Sequence, residues 1–269
     1  MASRLYNKMK VKEIIHLIKE SLGGYEESDK ENNKLLFGKG ENKIENIYFC
    51  WRLTLNMLKK IKLDTSTLII CHEPVLYNIK YSLTPVMDNN ILKSNKEKLE
   101  LISSSGINLA RFHLSWDSSQ YGTNMTLIKI LDLIEKKHFG YYSICELKKS
   151  EKAIEFIKRI KKILNITFVN VIGNIDKKIK RVLVVAGGGA NKEFLSFALT
   201  NECDALISGD SYMESKYFAF ENDLLLIDPG HQNLEVPGIK NFAEVIKHNT
   251  NNKDIKVHFL NNEEIERIL

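Results

Sequence analysis

Proline and cysteine are both scarce in this chain, four of each in 269 residues. With so few prolines and no serine- or glycine-rich spacer, nothing in the sequence serves as a flexible linker, so any two lobes must pack closely. The cysteines, Cys50, Cys71, Cys145 and Cys203, have none of the short paired spacings that a zinc ribbon or a redox motif needs, and they read as reduced thiols. Long hydrophobic runs are missing too. The first thirteen residues hold no apolar stretch for a signal sequence, and no later run nears bilayer-spanning length. The expected location is cytoplasmic, with no membrane partner. Basic blocks are equally sparse: Lys+Arg 39 against Asp+Glu 34 gives a formal charge of +5, but only residues 158–162 and 177–181 are dense in it. A solvated surface explains that spread better than a nucleic-acid footprint, which needs clustered basic residues interleaved with aromatics.

What is present is core-forming material, 43% hydrophobic residues, arranged with changing periodicity. Val11, Ile14, Ile15, Ile18 and Leu22 recur at helical spacing before Gly23-Gly24. Residues 26–46 are polar and glycine-punctuated around Leu35-Leu36-Phe37, which suggests a hairpin or loop. Residues 47–50 and 68–71 are short apolar strands flanking a helical pattern over 53–62, a β-α-β unit. A capping box, Ser94 with Glu97, predicts a helix to Gly106 and then a strand over 107–112. Further on, the patterns predict a helix over 127–136, extended chain over 141–144, a helix capped by Ser150 and ending at Leu164, and a strand over 166–172. Strands follow over 182–186, 206–207 and 224–227, the first two separated by a helix over 193–199. Strands alternating with helices define the α/β class, with mostly parallel or mixed sheets covered by helices. A soft boundary near residue 126 separates an N-terminal lobe, 1–126, from a C-terminal lobe, 127–269.

In α/β sheets ligands collect where strand C-termini open into loops. Three such ends place an imidazole beside or near a carboxylate: Cys71-His72-Glu73-Pro74, His113-Leu114-Ser115-Trp116-Asp117, and Asp228-Pro229-Gly230-His231 followed by Glu235. His231 and Glu235 are four apart, so a helical turn sets them on one face; His72 and Glu73 are adjacent, so an extended backbone points them apart toward different ions. Nitrogen and carboxylate oxygen without thiolate suit Zn, Mn or Fe(II) better than Ca or Mg, and a carboxylate can bridge two ions. Taken singly, a strand-end histidine is more often a hydrogen-bonded structural residue than a ligand. Ala186-Gly187-Gly188-Gly189-Ala190 lacks a Walker ending and reads equally as an anion cradle or as a tight turn. Asp210 can orient a metal ligand or cap the next helix. Cys71 suits a small apolar position at the end of a buried strand, and Trp116 and Tyr77 flank the donors as packing or as stacking surfaces.

Together these segments resemble the Nif-three-like (NGG-one-interacting factor three) proteins, also called GTP cyclohydrolase 1 type 2 homologues. Residues 68–74 resemble the family's strand and "HHP", residues 113–117 its "HTNLD", and residues 230–235 its "GHxxxE". Residues 184–189 and 207–210 resemble its "GGSG" and "TGD", all in order over about residues 47–246. The resemblance implies two packed α/β lobes with two divalent metal ions in the cleft between them, and ring-shaped homohexamers. It implies that His72 and His231 bind one ion, Glu73 and Asp117 the other, and Glu235 both, with His113 beside them. Asp210 and Glu214 would lie in the surrounding shell or contact substrate. Glu73 stands where the second histidine of "HHP" is usual, and Glu214 where a histidine usually follows "TGD"; the N-terminal Trp-Asp-Asn motif is not recognisable. The expected function is metal-dependent hydrolysis of a small nucleotide or heterocycle, GTP first; the alternative is a non-enzymatic metal-binding scaffold, metal carrier or partner-binding ring.

Overall fold

A computed structural model describes residues 8–23, 33–77, 92–250, 254–261 and 265. The chain folds as two compact units, Met1–Ser115 with Phe242–Leu269 (unit 1) and Trp116–Asn241 (unit 2). A single cut near residue 126 does not describe this division. The chain passes from one unit to the other inside two helices, where no change of composition marks a boundary.

Unit 1 begins with α1 (Val11–Ser21), whose Val11, Ile14 and Ile18 are buried as their spacing predicts. β1 (Lys34–Phe37), β2 (Asn46–Cys50) and α2 (Leu55–Lys60) follow, α2 being capped by the Thr54 side chain, which accepts from Met57 N. β3 (Thr67–Cys71) is buried along its whole length, as its continuous apolar run requires of a strand covered on both faces. α3 (Lys93–Ser105) starts from Leu92, without a side-chain cap, so the expected Ser94 box does not form; Gly106, at φ 70°, ends the helix. β4 (Asn108–Arg111) pairs parallel with β3, β3 with β2, and β1 closes the other side of β4 antiparallel.

Unit 2 is entered through α4 (Leu114–Ser118) and α5 (Thr123–Ile130). The helix expected over 127–136 stops at Leu131, because Asp132 takes a left-handed φ of 56° and β5 (Leu133–His138) turns back into the sheet. β6 (Tyr142–Lys152) is longer than expected and takes in Ser150, which therefore caps nothing; α6 (Ala153–Leu164) starts from Lys152. A register shift between Glu146 and Glu151 lets β6 continue along its neighbour past the exposed lysines. Of residues 166–172 only β7 (Asn170–Ile172) is strand, a short edge piece paired with one neighbour. β8 (Lys178–Val185), α7 (Lys192–Thr200), β9 (Ala205–Ile207), α8 (Met213–Glu221) and β10 (Leu225–Asp228) complete the sheet, in the order β5-β6-β8-β9-β10-β7 with β8, β9 and β10 parallel. Its two faces are separately covered. Val182 and Val184 pack with Phe156 and Ile160 of α6, while Leu183 and Val185 pack with Leu195 of α7 and Ala219 of α8.

α9 (His231–Asn249) leads out of unit 2, with Pro237 and Gly238 inside it. β11 (Lys256–Phe259) then adds parallel to β2, making the unit 1 order β1-β4-β3-β2-β11. Mixed sheets covered by helices match the α/β expectation. Among the described residues, no helix is long and apolar enough to cross a membrane.

Candidate functional site

In unit 1 the donors sit just past the ends of β3 and β4. Leaving β3, the backbone stays tied to the end of β2: Trp51 O accepts from His72 N at 3.2 Å and from Glu73 N at 2.8 Å. Arg111 Nε donates to His72 O at 2.8 Å, which fixes the same turn from the β4 side. The His72 ring is 1% exposed, and its Nδ1 lies 2.9 Å from Phe112 O. A carbonyl only accepts, so Nδ1 carries the proton and Nε2 presents its lone pair. The His113 ring lies beside it, tilted by 50° with centroids 4.9 Å apart, and its Nε2 is 3.7 Å from Glu73 Oε1. One ligand atom each from His72, Glu73 and His113 lies within 4.8 Å of the others, a spacing that can serve a single cation. Although adjacent in sequence, His72 and Glu73 therefore do not simply point apart.

In unit 2 Asp117 is 4% exposed and accepts from the Thr123 hydroxyl. Its position depends on Gly122, where a Cβ would stand 1.7 Å from Trp116 O. Where β10 ends, Asp228 accepts from Gly230 N at 2.9 Å and from Ser211 N at 3.0 Å, locking together the loops after β9 and β10. His231 then starts α9. Its Nδ1 lies 2.8 Å from Asp210 Oδ2 and its Nε2 3.1 Å from Glu235 Oε2, one helical turn on, and the Glu235 side chain is 3% exposed. Burial disfavours the imidazolium, but the hydrogen bonds it donates to the Asp210 and Glu235 carboxylates outweigh that and push the His231 pKa up to about 10.

The glycine turn after β8 is shaped to these groups. At Gly187, φ 92°, a Cβ would lie 2.2 Å from Glu235 Oε1; at Gly188 it would lie 2.7 Å from Asp210 Oδ2. Gly189 N donates inward to Ser208 Oγ at 2.8 Å and Gly209 N to Gly187 O at 2.7 Å, so close packing accounts for this turn without an anion.

Asp210 thus orients His231, and the N-cap of α8 is Tyr212, with no side-chain cap bond. Glu214 is not brought to that ring by any hydrogen bond or ion pair among the described residues; its carboxylate pairs with Lys192 at 2.7 Å on the exposed surface. Cys71 is buried and its thiol is pushed up to about 12, chiefly by burial, which suits a packing role and no metal ligation. Thr123, Arg111 and the Phe112 carbonyl were not singled out from sequence. Each acts on a donor through a contact that no spacing rule announces.

The donor types fit a divalent cation. Buried carboxylates at Asp117 and Glu235 and a buried imidazole at His72 favour a positive charge close by. The family model for Duf34/NIF3 (NGG1p interacting factor 3) matches residues 9–265. A Clostridium perfringens protein described as a GTP cyclohydrolase 1 type 2 homolog is 27% identical over 248 residues, covering 89% of this chain and 92% of that one. Among solved structures, reduced HcgD from Methanocaldococcus jannaschii superposes with a TM-score of 0.78 at 23% identity, covering 95% of this chain and 99% of that one. A Bacillus cereus protein related to NIF3 superposes with a TM-score of 0.76 at 15% identity, over 98% and 99% of the two chains.

Proposed function

The chain belongs to the Duf34/NIF3 family, and from that premise we propose that it binds a pair of divalent metal ions and hydrolyses a small nucleotide or heterocyclic substrate. In this reading His72 and His231 would hold one ion, Glu73 and Asp117 the other, and Glu235 both. Zn, Mn and Fe(II) are the candidate metals.

The observation that carries this reading is the matched support of the two imidazoles. Each has its Nδ1 tied to an oxygen, Phe112 O for His72 and Asp210 Oδ2 for His231. That is the outer hydrogen bond by which proteins set the tautomer of a metal-binding histidine and aim its Nε2. Glu235, held against His231 and cradled by Gly187, offers two oxygens from one buried carboxylate. His113, beside Glu73, is placed to contact substrate or to move a proton. A bound pair of ions supplies Lewis acidity and an activated water for hydrolysis.

GTP, with formate release, is the first reaction to assay, on the strength of the Clostridium perfringens relative's description. A homohexamer in the cytoplasm belongs to the same proposal. The test is elemental analysis of protein purified without chelator, with Glu235→Gln and His72→Ala alongside. The expected result is two metal equivalents per wild-type chain and fewer in both variants at unchanged far-UV circular dichroism. Wild-type rates in both variants for every hydrolytic reaction screened would remove the catalytic reading.

A further inference from the structure

Two cations of unit 1, Arg52 just past the end of β2 and Lys98 on α3, are left unused by the metal reading. Arg52 follows the Trp51 carbonyl that receives His72 N and Glu73 N. Its guanidinium carbon lies 4.8 Å from the centroid of the Tyr77 ring, and Lys98 Nζ lies 5.4 Å from the same centroid. Tyr77 is 46% exposed but firmly held. Buried Asn95 accepts from its N–H at 2.9 Å and donates to its carbonyl at 2.8 Å. Lys98 is 3% exposed and donates to Val75 O at 2.7 Å.

A purely structural account covers part of this cluster. Asn95 and Lys98 fasten the segment after Pro74 to α3, and that uses one of three ammonium protons. Arg52 adds only its contact with the Tyr77 ring. Neither cation makes an ion pair among the described residues. Burial, and then the neighbouring Arg52 charge, hold the Lys98 ammonium below its usual pKa. A guanidinium laid over an aromatic ring keeps its N–H edges in the plane beyond the ring, where they form a fork for a tetrahedral oxyanion. Two cations in contact with one ring suit a dianion better than a single carboxylate.

We propose that Arg52 and Lys98, on the Tyr77 platform, form an oxyanion subsite that takes a phosphate group of a substrate. That the remainder of this substrate reacts at the donor set of His72, Glu73 and His113 rests on the function proposed above; the anion subsite itself does not.

The test is a ³¹P NMR titration of inorganic phosphate into the full chain after exhaustive chelation, so that no metal competes for the ligand, with metal content measured on the unchelated preparation. The variants are Arg52→Gln and Arg52→Lys; Lys98 is left intact because its burial makes it a folding risk. The proposal expects saturable phosphate binding, weakened about tenfold in Arg52→Gln, equivalent to about 1.4 kcal/mol, and partly restored in Arg52→Lys. Absence of saturable binding, equal binding by Arg52→Gln, or equally effective competition by acetate overturns it. Arg52-dependent binding in a chain that carries no metal upholds the subsite while refuting the dinuclear reading. Two metal equivalents with Arg52-independent binding does the reverse.

Discussion

His231 concentrates the chemistry of unit 2 in one ring. In the metal-free chain its imidazolium is clamped by Asp210 and Glu235, with its pKa raised from 6.5 to about 10. A raised histidine pKa stabilises the fold fully below about 6.5, and that contribution is lost as pH rises through about 10. Thermal melts of the chelated protein from pH 6 to 10.5 are expected to show this decline, and Asp210→Asn is expected to flatten it. A wild-type decline identical to the variant's argues against the clamp. Gly187→Ala tests the other side of the site. The left-handed backbone costs about 1–2 kcal/mol with a Cβ, and the added carbon, 2.2 Å from Glu235 Oε1, pushes the carboxylate away. Metal occupancy measured by elemental analysis is expected to fall in Gly187→Ala by more than its loss of thermal stability accounts for. At this scale the donors were legible because imidazole and carboxylate at a strand end are visible as residue types. Their supports were not: Phe112 O reaches His72 across forty positions through the pairing of β3 with β4, and Asp210 reaches His231 across twenty-one. Glu214, placed by resemblance near the site, is paired with Lys192, an interaction that no motif encodes.

Elements were legible where one periodicity dominates. α1, β2, β3 and α7 follow their apolar patterns, because each buries one helical stripe or a whole strand. The stretch after Leu127 is apolar at both helical and alternating spacings, and Asp132, in a left-handed turn, decides between them. α9 shows how packing overrides propensity. Alanine is better than glycine inside a helix by about 1 kcal/mol. At Gly238, however, a Cβ would stand 2.4 Å from Thr123 Cα, a backbone atom in the first turn of α5. Overpacking of that kind costs about 1–3 kcal/mol. Gly238→Ala is therefore expected to destabilise by up to about 2 kcal/mol net in chemical denaturation; a stabilised variant contradicts this packing. Because Thr123 also holds Asp117, the same variant is expected to weaken metal binding.

For the whole molecule, the expected α/β class was legible, whereas the division into units was not. β11 belongs to the sheet of unit 1 although it follows all of unit 2, and the two crossings lie within α4 and α9. A cation bound to the folded chain alone adds about 2.7 kcal/mol at a hundredfold excess over its Kd, so chelation is expected to lower Tm by roughly 5–10 °C. An unchanged Tm after chelation weakens the metal reading. The central claim is the proposed binding of a pair of divalent ions by the chain's histidine and carboxylate donors. An anomalous-difference map of metal-replete crystals tests it most directly. The account predicts two peaks roughly 3.5–4 Å apart; a single peak, or none, contradicts it.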